Sequence, residues 1–305
     1  MKKVIITGVT GFIGGSLATK LLSEGVTVYG VARYEARLKK YEADANFIPV
    51  IADMSEYKSL SRLILDKDID IFYHFAWEGG FTTAIKDYRL QMKNASYAGD
   101  ALVAANEIGC KKFVYAATYN QYEILNFLAS ENFEPRWTCV YSTGKTAAGL
   151  ICRTLAYNLG IDYSAGIIPM PYGENNYSKQ LTNVVIDSLN KGITPKLVEG
   201  NNTYDLVYIG DIVDAFIAIG EKGKNQKEYY VGHRKLKTFK QLMIDIRNVI
   251  APNIDLKFGE YKDVQSINYA TIDLDALYRD TGFECRADFD ETIKNTSEWV
   301  KTLNY

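Results

Sequence analysis

The sequence predicts an α/β fold in which a doubly wound parallel sheet precedes a smaller C-terminal α/β region. Over the first 168 residues, short β-branched runs alternate with longer amphipathic segments. This alternation is typical of a parallel sheet with helices on both faces. After Ile168 the run PMPYG at residues 169–173 interrupts the pattern, and the later segments are shorter and more mixed. The break indicates a second region.

Each predicted element follows from its own run of apolar residues. The predicted strands cover residues 4–6, 26–31, 47–51, 69–75, 113–117 and 163–168. The predicted helices cover residues 13–23, 57–65, 88–108 and 143–159. We expect residues 1–168 to form the main domain and residues 169–305 to form mainly a second region. Residues 205–222, a strand signal followed by a helix, are expected to return to the main domain.

Length and composition exclude several classes of protein. With 305 residues, 47% hydrophobic and 24% charged, the chain can bury a large core. The net charge is -2 and basic residues are mixed with acidic ones, so we expect no nucleic-acid or membrane partner. No apolar run is long enough to span a bilayer, and MKKVIITG enters a strand directly, unlike a signal peptide.

The cysteines show no pattern of disulfide or zinc binding. Cys110, Cys139, Cys152 and Cys285 lack Cys-x-x-Cys spacing, and the chain has only two histidines. We therefore predict reduced thiols, a cytoplasmic location and no metal site.

A glycine-rich opening, TGVTGFIG at residues 7–14, predicts a dinucleotide site. Gly8, Gly11 and Gly14 let backbone amides and a helix N-terminus approach a pyrophosphate closely. Glycines at this spacing also mark tight turns, but here an apolar strand precedes them and a helical pattern follows.

The run YSTGK places Tyr141 four residues before Lys145. On a helix the two share a face, so the ammonium would hold the phenol near its anion and lower a pKa ordinarily near 10. Such a tyrosine is an acid/base for carbonyl chemistry. Among 23 tyrosines chance matches are expected, so the order of the motifs along the chain carries the inference.

Taken together, the motifs resemble the extended short-chain dehydrogenase/reductase family, the NAD(P)-dependent nucleotide-sugar epimerase, dehydratase and reductase group. The likeness covers almost the whole chain and implies a Rossmann-type fold, with residues 1–168 as the dinucleotide-binding domain and residues 169–305 as mainly a substrate-binding region. The matching segments are TGVTGFIG, Asp53, HFA at 74–76, Asn94, FVYAAT ending at Thr118, YSTGK, PYG at 171–173 and YDLVYIGDIVDA from Tyr204.

The resemblance also implies roles for individual residues. Thr118 would hydrogen-bond the substrate oxygen, Tyr141 would exchange its proton, and Lys145 would hold the nicotinamide ribose and tune Tyr141. Hydride addition to a ketone develops charge on oxygen, which needs such a donor and proton source. The remaining expected cofactor contacts are Gly8, Thr10, Gly11, Phe12, Ile13, Gly14, Arg33, Asp53, Met54, Phe75, Ala76, Trp77, Asn94 and Ile168.

Some of these residues also have an ordinary structural interpretation. Thr118 fits a turn at a strand end, and Asp53 fits a helix cap. Asn94 either supports the cofactor loop, as the resemblance implies, or lies on the polar face of its helix. His74 closes a buried strand with no second ligand near it in the sequence, so we interpret it as a core histidine.

The end of the second strand bears on the choice of cofactor. An NAD site usually has an acid there, whereas this chain ends the strand in Arg33, which favours a 2′-phosphate. We therefore expect NADP(H) rather than NAD(H). Arg37, Lys39 and Lys40 lie nearby, but the lysines are better explained as a solvated helix face.

The chain departs from the family in ways that bear on the reaction. Tyr119 and Asn120 follow Thr118 where the family's 4,6-dehydratases carry an Asp-Glu pair, which disfavours dehydration. Met170 and Tyr204 stand where its epimerases commonly carry Asn and Arg, and losing that Arg removes a bidentate pyrophosphate contact. Nucleotide-sugar recognition would then use other cations.

The segment HFAWEGG at residues 74–80 is similar to the reductase branch that acts on nucleotide-linked 4-keto-deoxysugars in surface polysaccharide synthesis. Trp77 follows a strand end, where ligands bind in open α/β sheets. The candidate substrate contacts are Trp77, Tyr119, Met170, Lys179, Tyr204 and Lys262.

We therefore predict an NADP-dependent oxidoreductase that reduces the keto group of a nucleotide-activated 4-keto-6-deoxysugar. An NAD-dependent nucleotide-sugar 4-epimerase is the first alternative, and a dinucleotide-sensing regulatory protein is a distant second. By analogy with the family we expect a homodimer formed through the helices predicted at 88–108 and 143–159.

Overall fold

The computed structural model describes residues 1–80, 82–132, 134–262 and 267–303. Its main feature is a sheet of seven strands: β1 (Lys3–Thr7), β2 (Thr27–Ala32), β3 (Phe47–Ile51), β4 (Ile71–His74), β5 (Lys112–Thr118), β6 (Asp162–Ile168) and β11 (Lys227–Tyr230). Their order across the sheet is β11-β6-β5-β4-β1-β2-β3, and every neighbouring pair is parallel. The predicted doubly wound parallel sheet is confirmed.

Six of these strands were predicted, but β11 was not. Lys227–Tyr230 is a short run, KEYY, without strong β-branched character, and it pairs only with β6 at the edge of the sheet. The chain order reverses between β1 and β4, and such a switch point is where ligands bind in open α/β sheets.

Ten α-helices occur in the described part of the chain. They are α1 (Phe12–Ser23), α2 (Leu60–Leu63), α3 (Tyr88–Ile108), α4 (Gln121–Ala129), α5 (Thr138–Leu159), α6 (Leu181–Asn190), α7 (Ile209–Lys222), α8 (Phe239–Ile250), α9 (Ala276–Thr281) and α10 (Phe289–Lys301). Short 3₁₀ segments cover Glu35–Tyr41, Met54–Ser59, Thr83–Lys86 and Tyr269–Thr271.

Two helix predictions need correction. The helix predicted over 57–65 is a 3₁₀ segment, Met54–Ser59, followed by the single turn α2, because Asp53 and Glu56 form a capping box that starts the segment earlier. The helix predicted from residue 143 begins at Thr138, so Tyr141 lies in its first turn.

Two apolar layers cover the main sheet. Helices α3 and α5 pack together on one face, where Ala98, Ala105 and Cys152 are fully buried against Phe72 and Phe113. Helices α1 and α7 cover the other face. Among the described residues, none of the helices is both long and apolar enough to cross a membrane.

A third core forms the C-terminal region. Helices α6, α8 and α10 pack around it with the short strands. The short strands pair as β7 (Met170–Tyr172) with β10 (Leu206–Tyr208), β9 (Thr203–Tyr204) with β12 (Lys237–Thr238), and β8 (Lys196–Val198) with β13 (Lys257–Tyr261). Thus Leu206–Tyr208 pairs within this region, while α7 lies on the main sheet. The boundary at residues 168/169 stays a prediction.

Candidate active site

A cavity of about 520 Å³ opens at the carboxyl edge of the main sheet. The glycine-rich loop forms one wall, and the start of α5 and the loop after β7 form the other. Twelve of the predicted site residues line it: Gly8, Thr10, Gly11, Phe12, Ile13, Gly14, Phe75, Trp77, Thr118, Tyr141, Lys145 and Ile168.

The glycine-rich loop is shaped for close approach of backbone. Gly8 has φ +74°, and a Cβ there would lie 2.8 Å from the Ala76 nitrogen. At Gly14 a Cβ would lie 2.5 Å from the Gly8 oxygen, so neither position tolerates a side chain. These contacts hold the loop tightly against the first turn of α1.

The N-terminus of α1 is suited to a pyrophosphate. Gly11 caps the helix without a side-chain hydrogen bond, and its first turn carries no acidic residue. The first N–H groups and the positive end of the helix dipole are therefore available to an anion at the cavity wall. A dinucleotide cofactor fits these residues.

Thr118, Tyr141 and Lys145 meet at the cavity, as predicted. Thr118 ends β5 and lines the cavity beside Tyr141. The Lys145 ammonium donates to the Ala116 carbonyl at 2.9 Å and lies 4.2 Å from the centre of the Trp77 ring. The three side chains are buried, with 6 to 9% of each residue exposed.

Burial dominates the protonation of this group. It raises the pKa of Tyr141 to about 12, with partial opposition from the Thr118 hydrogen bond. It also lowers the pKa of Lys145 to about 7. The pKa of Tyr141 therefore lies above its ordinary value rather than below it, because desolvation is the largest cause of the shift. The tuning of Tyr141 by Lys145 stays a prediction.

Trp77 closes one side of the group formed by Thr118, Tyr141 and Lys145. Its indole N–H donates to the Gln91 Oε1 at 2.8 Å, and Gln91 is itself 1% exposed. The Trp77 ring packs edge-on to Tyr141, with 6.0 Å between the ring centres. Trp77 is therefore a fixed wall beside both Tyr141 and Lys145.

Arg33 and Asp53 lie outside the cavity lining, at the carboxyl ends of β2 and β3. The Arg33 guanidinium approaches two acids, Asp53 at 3.8 Å and Glu78 at 3.6 Å. Asp53 accepts a hydrogen bond from the Ser55 nitrogen at 3.0 Å, and hydrogen bonding to Ser55 lowers the pKa of the Asp53 carboxyl. The helix-cap interpretation of Asp53 is confirmed, and its contact with adenine stays a prediction.

Asn94 supports the loop after β4, as one of its two interpretations required. Its Nδ2 donates to the Glu78 carbonyl at 2.8 Å, and the Glu78 nitrogen donates to its Oδ1 at 3.3 Å. Ala76, in the same loop, is buried, and Met54 packs against the core under α3. None of these three lines the cavity.

His74 is a core residue, as predicted. It is 1% exposed, its Nδ1 shares a hydrogen bond of 2.9 Å with the Thr7 hydroxyl, and its ring stacks on Phe113 and Tyr115. Burial lowers its pKa to about 3, so it is neutral at physiological pH.

Of the six candidate substrate contacts, only Trp77 lines the cavity. The other five lie outside its lining: Tyr119, Met170, Lys179, Tyr204 and Lys262. Tyr204 is buried in the C-terminal core, its ring 5.0 Å from that of Phe239. Lys262 is 81% exposed and faces Glu134 at 4.0 Å.

The sequence analysis missed the loop after β7. It brings a group of polar residues to the cavity: Asn175, Asn176, Tyr177, Ser178 and Gln180. Asn176 is 3% exposed and donates to the Gln180 Oε1 at 3.0 Å. Positive φ at Asn175 forms the turn, and the pair Asn-Asn after PYG was the available signal. Lys40, interpreted as a surface lysine, also lines the cavity.

Comparisons with known proteins agree with this geometry. Residues 4–232 match the NAD dependent epimerase/dehydratase family. A trifunctional UDP-glucose 4,6-dehydratase/UDP-4-keto-6-deoxy-D-glucose 3,5-epimerase/UDP-4-keto-L-rhamnose-reductase of Arabidopsis thaliana is 22% identical over 98% of this chain. The chain spans 47% of that relative's length.

Two other proteins match over nearly their full length. UDP-N-acetyl-alpha-D-glucosaminuronate decarboxylase of Bacillus cytotoxicus is 24% identical over 99% of this chain and 98% of its own. The structure of UDP-glucuronic acid 4-epimerase from Bacillus cereus, in complex with NAD, has a TM-score of 0.79 at 20% identity, covering 98% of this chain and 99% of that one. The family match spans most of the chain and includes both the glycine-rich loop and the Thr-Tyr-Lys group, so this chain belongs to the NAD dependent epimerase/dehydratase family, of the extended short-chain dehydrogenase/reductase type.

Proposed function

We propose that the protein reduces the keto group of a nucleotide-activated 4-keto-6-deoxysugar with NADPH. The observation that carries the proposal is the meeting of Thr118, Tyr141 and Lys145 at a cavity that, among the described residues, is lined by no Asp or Glu. Tyr141 is buried, and its raised pKa, about 12, leaves it a protonated phenol at neutral pH. A reductase needs a tyrosine that donates a proton. A group protonated at rest is ready for that role.

The cofactor would supply hydride to the carbonyl carbon. Its pyrophosphate would lie against the glycine-rich loop and the N-terminus of α1. As charge develops on the carbonyl oxygen, the Tyr141 hydroxyl donates its proton and the Thr118 hydroxyl donates a hydrogen bond. Lys145, a donor to the Ala116 carbonyl, is placed to hold a ribose hydroxyl.

Elimination of water is disfavoured by the residues after Thr118. Tyr119 and Asn120 offer no carboxylate at the positions where the family's dehydratases carry acids. Within the cavity lining no Asp or Glu is present among the described residues. This supports a simple reduction.

The NADP preference rests on Arg33. Its contacts with Asp53 and Glu78 are 3.6 to 3.8 Å long, and all three side chains are 42 to 49% exposed. Exposed pairs of this kind contribute at most about 1 kcal/mol. A 2′-phosphate offers charge-assisted hydrogen bonds of about 1.5 to 3 kcal/mol, so it can displace them. Lys40 at the cavity wall adds a second cation.

The ion pairs of Arg33 with Asp53 and Glu78 also support the alternative function, an NAD-dependent 4-epimerase. A guanidinium already neutralised by two acids attracts a phosphate less, which favours NAD and hence a nucleotide-sugar 4-epimerase. The UDP-glucuronic acid 4-epimerase from Bacillus cereus, which has a matching fold, binds NAD. A regulatory dinucleotide sensor has less support, because Thr118, Tyr141 and Lys145 are all retained.

The test is absorbance at the reduced-nicotinamide band with NADPH or NADH and a panel of nucleoside-diphosphate 4-keto-6-deoxysugars. We expect NADPH-selective consumption that Tyr141→Phe abolishes and Tyr157→Phe, on an exposed part of α5, leaves intact. No consumption, with NAD retained by the purified protein, would replace the reductase with the epimerase.

We also propose a homodimer in the cytoplasm. Helices α3 and α5 lie side by side, and α5 exposes Leu150 (61%) and Tyr157 (77%), an apolar surface suited to a second copy. All four cysteines are free thiols, as expected in a reducing compartment. Light scattering should give twice the chain mass of 34.4 kDa, and Leu150→Asp should halve it. A monomeric wild type would reject the dimer.

A further inference from the structure

A second cluster of chemically reactive side chains lies outside the cavity. Asp211, His233 and Cys285 each offer one ligand atom, and these three atoms lie within 4.8 Å of one another. Asp211 is in the first turn of α7, His233 follows β11, and Cys285 lies between α9 and α10. None of them lines the cavity. The fold has thus brought an oxygen, a nitrogen and a sulfur ligand together from three distant segments.

Asp205 fixes the orientation of the histidine. Its Oδ1 lies 2.7 Å from the His233 Nδ1, and its Oδ2 accepts from the His233 backbone nitrogen at 2.9 Å and the Tyr230 hydroxyl at 3.0 Å. A carboxylate on Nδ1 leaves Nε2 as the nitrogen with a free lone pair. Metal-binding histidines in proteins are commonly held in this way.

Asp211 is also held in place, yet its charge is not neutralised. Its two oxygens accept from the backbone nitrogens of Arg286 at 3.0 Å and Ala287 at 3.2 Å, which leaves further lone pairs. The residue is 7% exposed. In the described ranges no lysine or arginine forms an ion pair with it or with Asp205. Two buried carboxylates with one histidine between them favour a cation.

We propose that Asp211, His233 and Cys285 bind a divalent transition metal ion, Zn²⁺ being the best match to this donor set. Mixed O, N and S ligands suit tetrahedral zinc, with the fourth position open to water. The His233 side chain is 40% exposed, so an ion can enter. Zinc bonds of about 2.0 to 2.3 Å require the ligand atoms to move together by about 1 Å. His233 and Cys285 lie on connecting segments, where such a shift is local.

A metal here would pin the C-terminal region to the main sheet. His233 follows an edge strand of that sheet, while Cys285 leads into α10 of the C-terminal core. The Asp205 carbonyl also accepts from the Met170 nitrogen at 3.2 Å, so the cluster adjoins β7, which leads to the loop lining the cavity. The site would therefore stabilise the junction between the two regions.

The test is titration of the full-length protein with Co²⁺, followed by competition with Zn²⁺. We expect one equivalent to give a sulfur-to-cobalt charge-transfer band that Zn²⁺ abolishes. Cys285→Ser should remove the band, and Asp205→Asn should weaken Co²⁺ binding roughly 10- to 100-fold. Cys139→Ser, which changes a buried thiol outside the cluster, is the matched control and should keep the band.

A second measurement uses the wild-type protein alone. Bound Zn²⁺ should slow modification of Cys285 by a thiol reagent, with the site of labelling mapped by mass spectrometry. A charge-transfer band that survives in Cys285→Ser, no band at all, or labelling unaffected by Zn²⁺ would overturn the proposal. No nucleotide is present in either experiment, so its outcome is independent of the proposed reductase activity.

Discussion

Replacing Lys145 with methionine should change how the free energy of unfolding depends on pH. Lys145 is 6% exposed, and burial lowers its pKa from 10.5 to about 7. In the unfolded chain the ordinary pKa returns. Between about pH 7 and pH 10.5 the unfolded state therefore binds more protons than the folded state, and stability rises with pH.

The size of the effect follows from the two pKa values. Within this window each pH unit adds about 1.4 kcal/mol to the free energy of unfolding. Between pH 6 and pH 9 the wild type should gain about 2 to 3 kcal/mol that Lys145→Met does not gain. The buried Lys112, whose pKa is lowered to about 8, titrates in the same range but is present in both proteins, so its contribution cancels in the difference.

Urea unfolding of both proteins at pH 6, 7, 8 and 9 measures this difference. The wild type should be less stable than Lys145→Met by the largest amount at pH 6, and the gap should narrow as the pH rises. Parallel stability curves would show that Lys145 keeps its charge in the folded protein. The lowered pKa of Lys145 would then be wrong.

Three further changes test other parts of the site. Glu78→Gln removes one acid beside Arg33 and with it about 0.5 to 1 kcal/mol of ion pairing that competes with the phosphate. NADPH should therefore bind roughly two- to fivefold more tightly in a fluorescence titration. Unchanged affinity would reject Arg33 as the phosphate ligand. Asn94→Ala deletes both hydrogen bonds to the Glu78 main chain and should lower the free energy of unfolding, measured with urea, by about 2 kcal/mol. A loss below about 0.5 kcal/mol would mean that the loop after β4 is stable without Asn94. Arg136→Met leaves the carboxylate of Glu123, 4% exposed and 2.6 Å from the guanidinium, without its partner; stability should fall by about 3 to 5 kcal/mol, and adding Glu123→Gln should recover most of it.

The sequence was most informative where one short segment forms one feature. The glycine-rich loop needs only a strand, a turn and a helix that are contiguous in the chain, and its predicted contacts all line the cavity. The pair Tyr141 and Lys145 is set by helical spacing alone. These features depend on local geometry, so pattern and spacing were sufficient.

Features that depend on tertiary contacts were predicted less well. The sequence placed Arg33 at the end of its strand, but the approach of Glu78 depends on Asn94 holding a loop 16 residues away in the chain. Tyr204 has the pattern position of a ligand contact, yet it packs into the C-terminal core. The cluster of Asp211, His233 and Cys285 joins three separate segments of the chain, and no spacing rule can reveal it.

Trp77 links the protonation of the site to the direction of the reaction. Its ring lies against both Tyr141 and Lys145, and its hydrogen bond to Gln91 keeps it there. By excluding water it contributes to the burial that raises the pKa of Tyr141 and lowers that of Lys145. An epimerase must begin by removing a proton from a sugar hydroxyl, for which a phenolate is needed. The proposed reductase begins with a protonated phenol, which is the state that burial beside Trp77 favours for Tyr141.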